Sequence, residues 1–163
     1  MKKKEKTALA LQEELFMRYP QLACCRKEYE SAFGAMLHCY RTGGKLLVCG
    51  NGGSAADAEH IVGELMKSFL FYRKIDEKFS SAMQGQFGSE GRDLAAKMEG
   101  ALPAIPLTSM PALTSAFAND VDAAVSFAQM TYGYGQKGDV LFGITTSGNS
   151  RNVLYAMMAA RAK

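Results

Sequence analysis

The sequence predicts an α/β protein in which helices flank a parallel β-sheet. Three short apolar runs, each of strand length, alternate with segments whose apolar residues recur at helical spacing. A glycine-rich turn follows the first run and a hydroxyl-rich turn follows the third, and each leads directly into a helical segment. Parallel strands are joined by right-handed helical crossovers, so this alternation favours a parallel sheet.

The strands are predicted at residues 45–50, 104–108 and 140–144. The first run is mostly apolar, as expected for a parallel strand that is buried on both faces. Pro106 in the second run has no N–H group, which argues against a central hydrogen-bonded position in the sheet. Ligands of such sheets gather beyond the carboxyl ends of the strands. The turns that follow the strands are therefore the candidate site.

The predicted helices precede and follow these strands. Two of them, at residues 7–18 and 22–40, come before the first strand; Pro20 separates them and Gly43-Gly44 ends the second. Residues 73–103 have little periodicity: 84–89 are typical of a loop and 93–99 predict a short helix. A connection of this length is often functional or mobile, so we expect a lid or an interface element. Further helices are predicted at 54–70, 112–118, 123–130 and 149–160.

The bulk composition indicates one globular domain spanning residues 1–163, with an N-terminal helical pair at 1–42 and an α/β core at 43–163. The net charge of +3 comes largely from three lysines at positions 2–4 and predicts no nucleic-acid partner. No apolar run approaches the roughly 20 residues of a membrane span, and the N-terminal residues predict no secretory signal because they lack an apolar segment. A cytoplasmic location is expected. The cysteines lack metal-site spacing and are expected to be buried free thiols: Cys24, Cys25, Cys39 and Cys49.

The first candidate corner follows the strand at 45–50. Gly52 and Gly53 permit positive φ and close backbone approach. Ser54 is a good N-cap residue, and Asp57 three residues later completes a pattern like a capping box. Unpaired N–H groups at a helix start can hold an anion such as phosphate.

The second candidate corner follows the strand at 140–144. Hydroxyl groups and helix-start N–H groups together make a phosphate site that needs no cationic side chain. An ordinary capping turn is the alternative for either corner alone, and the pair of corners on one edge favours the site. Neither turn fits the Walker or the dinucleotide fingerprint, which disfavours a nucleotide cofactor. The hydroxyl residues are Thr145, Thr146, Ser147 and Ser150.

His60 and Glu64 stand four residues apart and therefore share one helix face. Three interpretations remain open for them. They could form a surface hydrogen bond, or act as two ligands of Zn²⁺, since imidazole and carboxylate both suit that metal. Glu64 could instead be a general base near a bound sugar.

The runs from Cys49 to Ser54 and from Thr146 to Ser150, with His60 and Glu64 between them, closely resemble the sugar isomerase (SIS) domain family. The resemblance implies a three-layer, flavodoxin-like parallel sheet. It also implies an aldose–ketose isomerase that converts sedoheptulose 7-phosphate to D-glycero-D-manno-heptose 7-phosphate, for lipopolysaccharide or glycan precursor synthesis. Relatives build their active sites between subunits, so a homotetramer is expected.

The same resemblance implies roles for individual residues. His60 and Glu64 would be ligands of one Zn²⁺ per subunit, and Glu64 would also be the catalytic base. The hydroxyl residues Thr145, Thr146, Ser147 and Ser150 would bind the substrate phosphate. The sugar would contact Asn51, Gly52, Gly53, Ser54, Glu64, Asn119 and Asp120.

Two features depart from the family pattern. The connection at 73–103 is longer than expected, which keeps an isomerase of another phosphosugar open as an alternative. Family members also continue past the last helix with strands and a helix that carries a Gln and a His. We therefore expect C-terminal strands and zinc ligands to be missing here, and this chain to have little activity alone. A non-catalytic SIS protein that binds sugar phosphate or a protein partner, as one relative binds a replication initiator, is the other alternative.

Overall fold

The computed structural model describes residues 7–163 and confirms the α/β class. The chain divides into two compact units, Met1–His38 and Cys39–Lys163, of which the first is described from residue 7 onward. The lysines at positions 2–4 lie outside the described residues. The domain boundaries expected from the sequence stay a prediction.

The N-terminal unit is helical, as predicted. It contains α1 (Ala8–Arg18), a 3₁₀ helix (Pro20–Cys25) and most of α2 (Arg26–Arg41). The hydroxyl of Thr7 caps α1 by accepting a hydrogen bond from the Ala10 N–H at 3.3 Å. Phe16 is buried and meets the ring of Tyr29 edge-on, with 5.5 Å between ring centroids. The helix predicted from residue 22 begins only at Arg26, because the chain after Pro20 first forms the 3₁₀ turn.

The sheet in the described residues has three parallel strands in the order β2-β1-β3. They are β1 (Leu46–Gly50), β2 (Ala104–Pro106) and β3 (Val140–Ile144). Leu46 lies opposite both Ala104 and Val140. The central strand β1 is buried along its whole length, whereas Pro106 lies on the outer strand β2, as its missing N–H requires.

Helices cover both faces of the sheet. Successive side chains of a strand point to opposite faces, so Leu47 and Cys49 share one face and Leu46 and Val48 the other. The first face packs into a core cluster with residues of α6 and α7, and α3 packs on β1 and β2. The remaining helices are α3 (Gly53–Met66), α4 (Glu77–Ala95), α5 (Pro111–Asp120), a 3₁₀ helix (Ala123–Val125), α6 (Ser126–Tyr134) and α7 (Arg151–Ala162).

The prediction that α3 continues to residue 70 is wrong, because Arg73 caps the helix earlier. The guanidinium of Arg73 donates to the carbonyl oxygens of Leu65 at 2.7 Å and of Glu64 at 3.3 Å. It also donates to the carbonyl of Gly100 at 2.8 Å. A cation that binds the last carbonyls of a helix satisfies groups with no partner inside the helix and complements the helix dipole. Helix α3 therefore ends at Met66.

The prediction of a loop at 84–89 is also wrong, since these residues lie within α4. The glycines there permit a sharp break rather than a loop: Gly88 has φ of +60° and ψ of −135°. The chain folds back so closely that a Cβ on Gly91 would lie 2.1 Å from the carbonyl oxygen of Met83. Glycine at position 91 is required by this close approach. The helix predicted at 93–99 is helical only as far as Ala95.

The other differences between the predicted and the observed structure are smaller. The helix predicted at 112–118 extends to Asp120, and the one predicted at 149–160 spans Arg151–Ala162. All four cysteines are free; Cys39 and Cys49 are buried as expected, but Cys24 and Cys25 are exposed. Burial raises the pKa of the Cys49 thiol to about 11. In the part of the chain that the structure describes, no helix is long and apolar enough to cross a membrane.

The Asp139 side chain connects the start of β3 to the start of β1 through hydrogen bonds. It is expected to make the free energy of unfolding depend on pH. Its side chain is 8% exposed and accepts hydrogen bonds from the Lys45 ammonium at 2.5 Å, the Lys45 N–H at 2.9 Å and the Gln136 N–H at 2.8 Å. Burial alone would raise the pKa of Asp139, but the bonds from Lys45 and Gln136 outweigh it and hold that pKa below its usual value. The carboxylate therefore stabilises the fold above its unfolded pKa of about 4, and this stability is lost as the pH falls through the folded pKa.

Asp139→Asn is expected to cost about 2 kcal/mol of unfolding free energy at pH 7, since charged hydrogen bonds are lost. The difference from wild type should shrink as the pH falls below about 4, because first the unfolded chain and then the folded protein take up a proton on Asp139. Urea unfolding of the variant and of wild type, at pH 7 and at a pH below about 4, measures this difference in unfolding free energy. Asp93→Asn is the matched control, because Asp93 is 64% exposed and, among residues 7–163, pairs only with the adjacent Arg92. A pH-independent difference for Asp139→Asn would contradict the assignment.

Candidate functional site

The carboxyl ends of β1 and β3 lie side by side, and a pair of amides connects the loops that follow them. Asn51 donates from Nδ2 to Oδ1 of Asn152 at 3.0 Å, and Asn152 donates from its own Nδ2 to Oδ1 of Asn51 at 2.8 Å. Gly50 lies opposite Ile144 in the register of the two strands. The structure thus brings together the two corners that the sequence predicts on one edge of the sheet.

The glycine corner after β1 is tight. A Cβ on Gly50 would lie 2.6 Å from the carbonyl oxygen of Ser54, and Gly52 has φ of +55°. Helix α3 begins at Gly53 with Gly52 as its N-cap, and no side chain caps it. The predicted capping by Ser54 and Asp57 is therefore wrong, since the turn places Ser54 inside the helix.

Backbone carbonyls satisfy several of the first N–H groups of α3. The N–H of Ser54 donates to the carbonyl of Asn51 at 3.0 Å, and that of Ala55 donates to Gly52 at 3.0 Å. Fewer N–H groups are left for an anion here than a helix start normally offers. Close backbone approach, rather than anion binding, is what this corner provides best.

The corner after β3 gathers hydroxyl groups at the start of α7. The hydroxyl oxygen of Thr145 lies 3.0 Å from that of Ser150 and 3.4 Å from that of Ser147. The Asn149 N–H donates to the Ser147 hydroxyl at 3.2 Å, and Gly148 makes the turn with φ of +70°. Ser150 is the N-cap of α7, and its side chain makes no capping bond to the helix. Converging hydroxyls at a helix start that its N-cap side chain does not cap form a cradle suited to a phosphate group.

His60 and Glu64 lie on α3 with Nε2 and Oε1 3.6 Å apart. Their side chains are 76% and 39% exposed. A groove of about 350 Å³ lies between α3 and β3, lined by Asp57, His60, Ile61, Phe142 and Ile144. His60 therefore borders an open space large enough for part of a small ligand.

These two side chains supply an imidazole and a carboxylate, which are zinc ligands. A catalytic zinc normally has three protein ligands. Among residues 7–163, no group of three or more His, Cys, Asp or Glu side chains is arranged to hold a metal ion. The chemistry of the pair suits zinc, but the donor set in the described residues is incomplete.

Asn119 and Asp120 form the last turn of α5, where the Asn119 amide donates to the Asp120 carboxylate at 2.7 Å. These two predicted sugar contacts thus lie at the end of a helix. Two residues later Asp122 caps the following 3₁₀ helix, and its Oδ2 lies 3.7 Å from the guanidinium of Arg151 at the start of α7. This ion pair brings the segment after α5 to the helix that carries the hydroxyl cradle.

Sequence reasoning missed two polar side chains at this edge. Glu59 accepts hydrogen bonds from the hydroxyls of Thr108 at 3.1 Å and Ser109 at 3.0 Å, and so ties α3 to the loop after β2. Thr108 is the last residue of the strand predicted at 104–108 and Ser109 directly follows it, so the rule on strand ends could have found both hydroxyls. Asn152 is the second, and nothing in its spacing indicated that it pairs with Asn51.

Comparison with known proteins defines the family to which this chain belongs. The SIS domain family matches residues 23–94. The phosphoheptose isomerase GmhA of Neisseria gonorrhoeae has a similar structure, with a TM-score of 0.57 and 32% identity over 93% of this chain and 70% of that protein. The chain belongs to the SIS domain family.

Within that family, the similarity is to phosphoheptose isomerases. The enzyme of Desulfovibrio desulfuricans is 42% identical over 123 residues, which are 76% of this chain and 46% of that protein. The enzyme of Rhodospirillum rubrum is 36% identical over 88% of this chain and 62% of its own length. A phosphoheptose isomerase structure from Francisella tularensis matches with a TM-score of 0.65 and 28% identity. The chain spans about half the length of the first of these curated relatives.

Proposed function

We propose that this chain is the substrate-binding and base-carrying part of a phosphoheptose isomerase, acting on sedoheptulose 7-phosphate. The observation that carries the proposal is the hydroxyl cradle at the start of α7, joined through Asn152 and Asn51 to the glycine corner that precedes His60 and Glu64. The similarity to phosphoheptose isomerases supports the choice of substrate.

The phosphate of the substrate binds in the cradle. The hydroxyl of Thr145 already lies within hydrogen-bonding distance of those of Ser147 and Ser150. Thr146 is proposed to add its hydroxyl and N–H groups. A charged acceptor strengthens such bonds, and the dipole of α7 adds to them. The sugar extends toward the glycine corner and the end of α5, where it contacts Asn51, Gly52, Gly53, Ser54, Asn119 and Asp120.

Glu64 moves the proton of the reaction. In an aldose–ketose isomerisation a base removes a proton from C1 and returns it to C2, while a hydroxyl proton moves from O1 to O2. The carboxylate of Glu64 carries the carbon-bound proton, and an acid from outside the described residues serves the oxygens. The backbone carbonyl of Glu64 accepts a bond from Arg73, so the end of α3 that carries the base is held in place.

A zinc ion is part of the proposal, with His60 and Glu64 as two of its ligands and the others supplied from outside the described residues. Bound there, zinc would polarise the sugar oxygens. We further propose a cytoplasmic homotetramer. The absence of disulfides among the cysteines supports the compartment, and exposed apolar side chains support association: Phe69, Leu70 and Tyr72 are 72%, 63% and 63% exposed.

Ser147→Ala is expected to weaken sedoheptulose 7-phosphate binding about 10-fold, which corresponds to one hydrogen bond to a charged acceptor. Calorimetric titration of this chain measures the affinity. Ser115→Ala is the matched control, since in the described part of the chain the Ser115 hydroxyl bonds only within its own helix, to the carbonyl of Ala112. Equal affinity in the Ser147→Ala and wild-type proteins would remove the cradle from the site and with it the proposed function.

A further inference from the structure

The amide pair between Asn51 and Asn152 is anchored to the backbone of α7. Oδ1 of Asn152 accepts the N–H of Val153 at 3.0 Å and also the Nδ2 group of Asn51 at 3.0 Å. A backbone N–H can only donate, so the atom of Asn152 that faces Val153 is the carbonyl oxygen. Both acceptor positions of that oxygen are then in use.

This anchor fixes the orientation of Asn51 in turn. With its oxygen held, Asn152 presents Nδ2 to Oδ1 of Asn51 at 2.8 Å. Asn51 must then present its own Nδ2 to Asn152, because the reverse orientation would oppose two donors and two acceptors. A side-chain amide has two N–H donors and two oxygen lone pairs, and the reciprocal pair uses one of each. One N–H and one lone pair of the exposed Asn51 side chain remain for a ligand.

We infer that Asn152 is a positioning residue, which orients Asn51 so that its remaining N–H and lone pair bind hydroxyl groups of the sugar. This inference rests on the proposed function and deepens it, because it assigns sugar recognition to a pair that links the two corners. A hydroxyl group both donates and accepts, so a neighbouring donor and acceptor on one amide suit a polyhydroxylated chain. The hydroxyl of Thr145 contacts those of Ser147 and Ser150, and neither amide of the pair takes part in these contacts.

The test compares two ligands that share a phosphate. Wild type, Asn152→Ala, Asn51→Ala and the double variant are titrated with sedoheptulose 7-phosphate and with inorganic phosphate. Asn152→Ala is expected to lower the affinity for sedoheptulose 7-phosphate about 10-fold and the affinity for inorganic phosphate less than about 2-fold. The double variant is expected to be no weaker than Asn51→Ala, because Asn152 acts only through Asn51. Asn152→Gln, which displaces the amide by one methylene, is expected to follow Asn152→Ala and serves if the alanine variant does not fold.

The possible results distinguish a failure of the proposed function from a failure of the inference about Asn152. If wild type binds neither ligand, the proposed function fails. If wild type binds both and Asn152→Ala weakens both equally, Asn152 supports the phosphate loop and the inference alone is overturned. Unchanged affinity for the sugar phosphate in Asn152→Ala, or additive losses in the double variant, also overturns it.

Discussion

Replacing Glu64 with glutamine is expected to lower the rate of sedoheptulose 7-phosphate isomerisation by about 10²–10⁴-fold, the usual contribution of a general base. Glutamine keeps the size of the side chain but cannot accept the proton from C1. The fold should be unaffected, because Arg73 bonds to the backbone carbonyl of Glu64 rather than to its carboxylate. The assay follows aldose formation by the chain extended to the length of its relatives, with Zn²⁺ present, since those relatives are longer than this chain.

Glu90→Gln is the control for this experiment, because Glu90 is an exposed carboxylate on α4. The isomerisation rate of the Glu90→Gln variant should equal that of wild type. Metal analysis of the same samples tests the zinc proposal: one zinc per subunit is expected in wild type and less in His60→Ala. A wild-type rate in Glu64→Gln would contradict the role of Glu64. No aldose product from the wild-type extended chain would contradict the enzyme, and would favour a non-catalytic SIS protein.

Gly50→Ala is expected to destabilise the fold by about 3 kcal/mol, at the upper end of what overpacking costs. A Cβ at this position would lie 2.6 Å from the Ser54 carbonyl oxygen and 2.8 Å from the Ser54 Cβ. The contacts are with the first turn of α3, so the helix would have to move relative to β1. Because β1 is the buried central strand, that movement is opposed by the core. Urea unfolding measures the loss.

Gly63→Ala on the same chain is the matched control. A Cβ there meets nothing within 4 Å, and Gly63 lies inside α3. Alanine is the better helix former, so this variant should gain about 0.5–1 kcal/mol. Opposite signs for the two substitutions would show that the corner, rather than glycine content, determines the effect. A loss below about 0.5 kcal/mol for Gly50→Ala would mean that the corner is looser than the structure indicates.

Local chemistry was sufficient to predict the strands and to select most residues of the candidate site. The apolar runs predicted β1 and β3 within one residue, and Pro106 correctly excluded β2 from the centre of the sheet. The hydroxyls at 145–150 were recognised because their residue types and their position after a strand are both visible in the chain. His60 and Glu64 could be placed on one helix face by spacing alone, as their 3.6 Å separation confirms.

Contacts between distant residues could not be predicted in this way. Arg73 ends α3 through carbonyls that lie eight and nine residues earlier, and Gly91 meets Met83 only because the chain reverses at Gly88. Local propensity favoured a longer helix in the first case and a loop in the second. In both cases tertiary hydrogen bonding or close packing outweighed propensities worth less than about 1 kcal/mol per residue.

The sequence by itself determined the class of fold, the two corners and the side chains that carry the proposed chemistry, since each depends on a few neighbouring residues. Only the tertiary structure decided how the corners are joined. The bonds between Asn51 and Asn152 connect residues 101 positions apart, and no local pattern carries information about such a pair. Parallel pairing of β1 with β3 brings them together, because it aligns the carboxyl ends of strands that lie far apart in the chain.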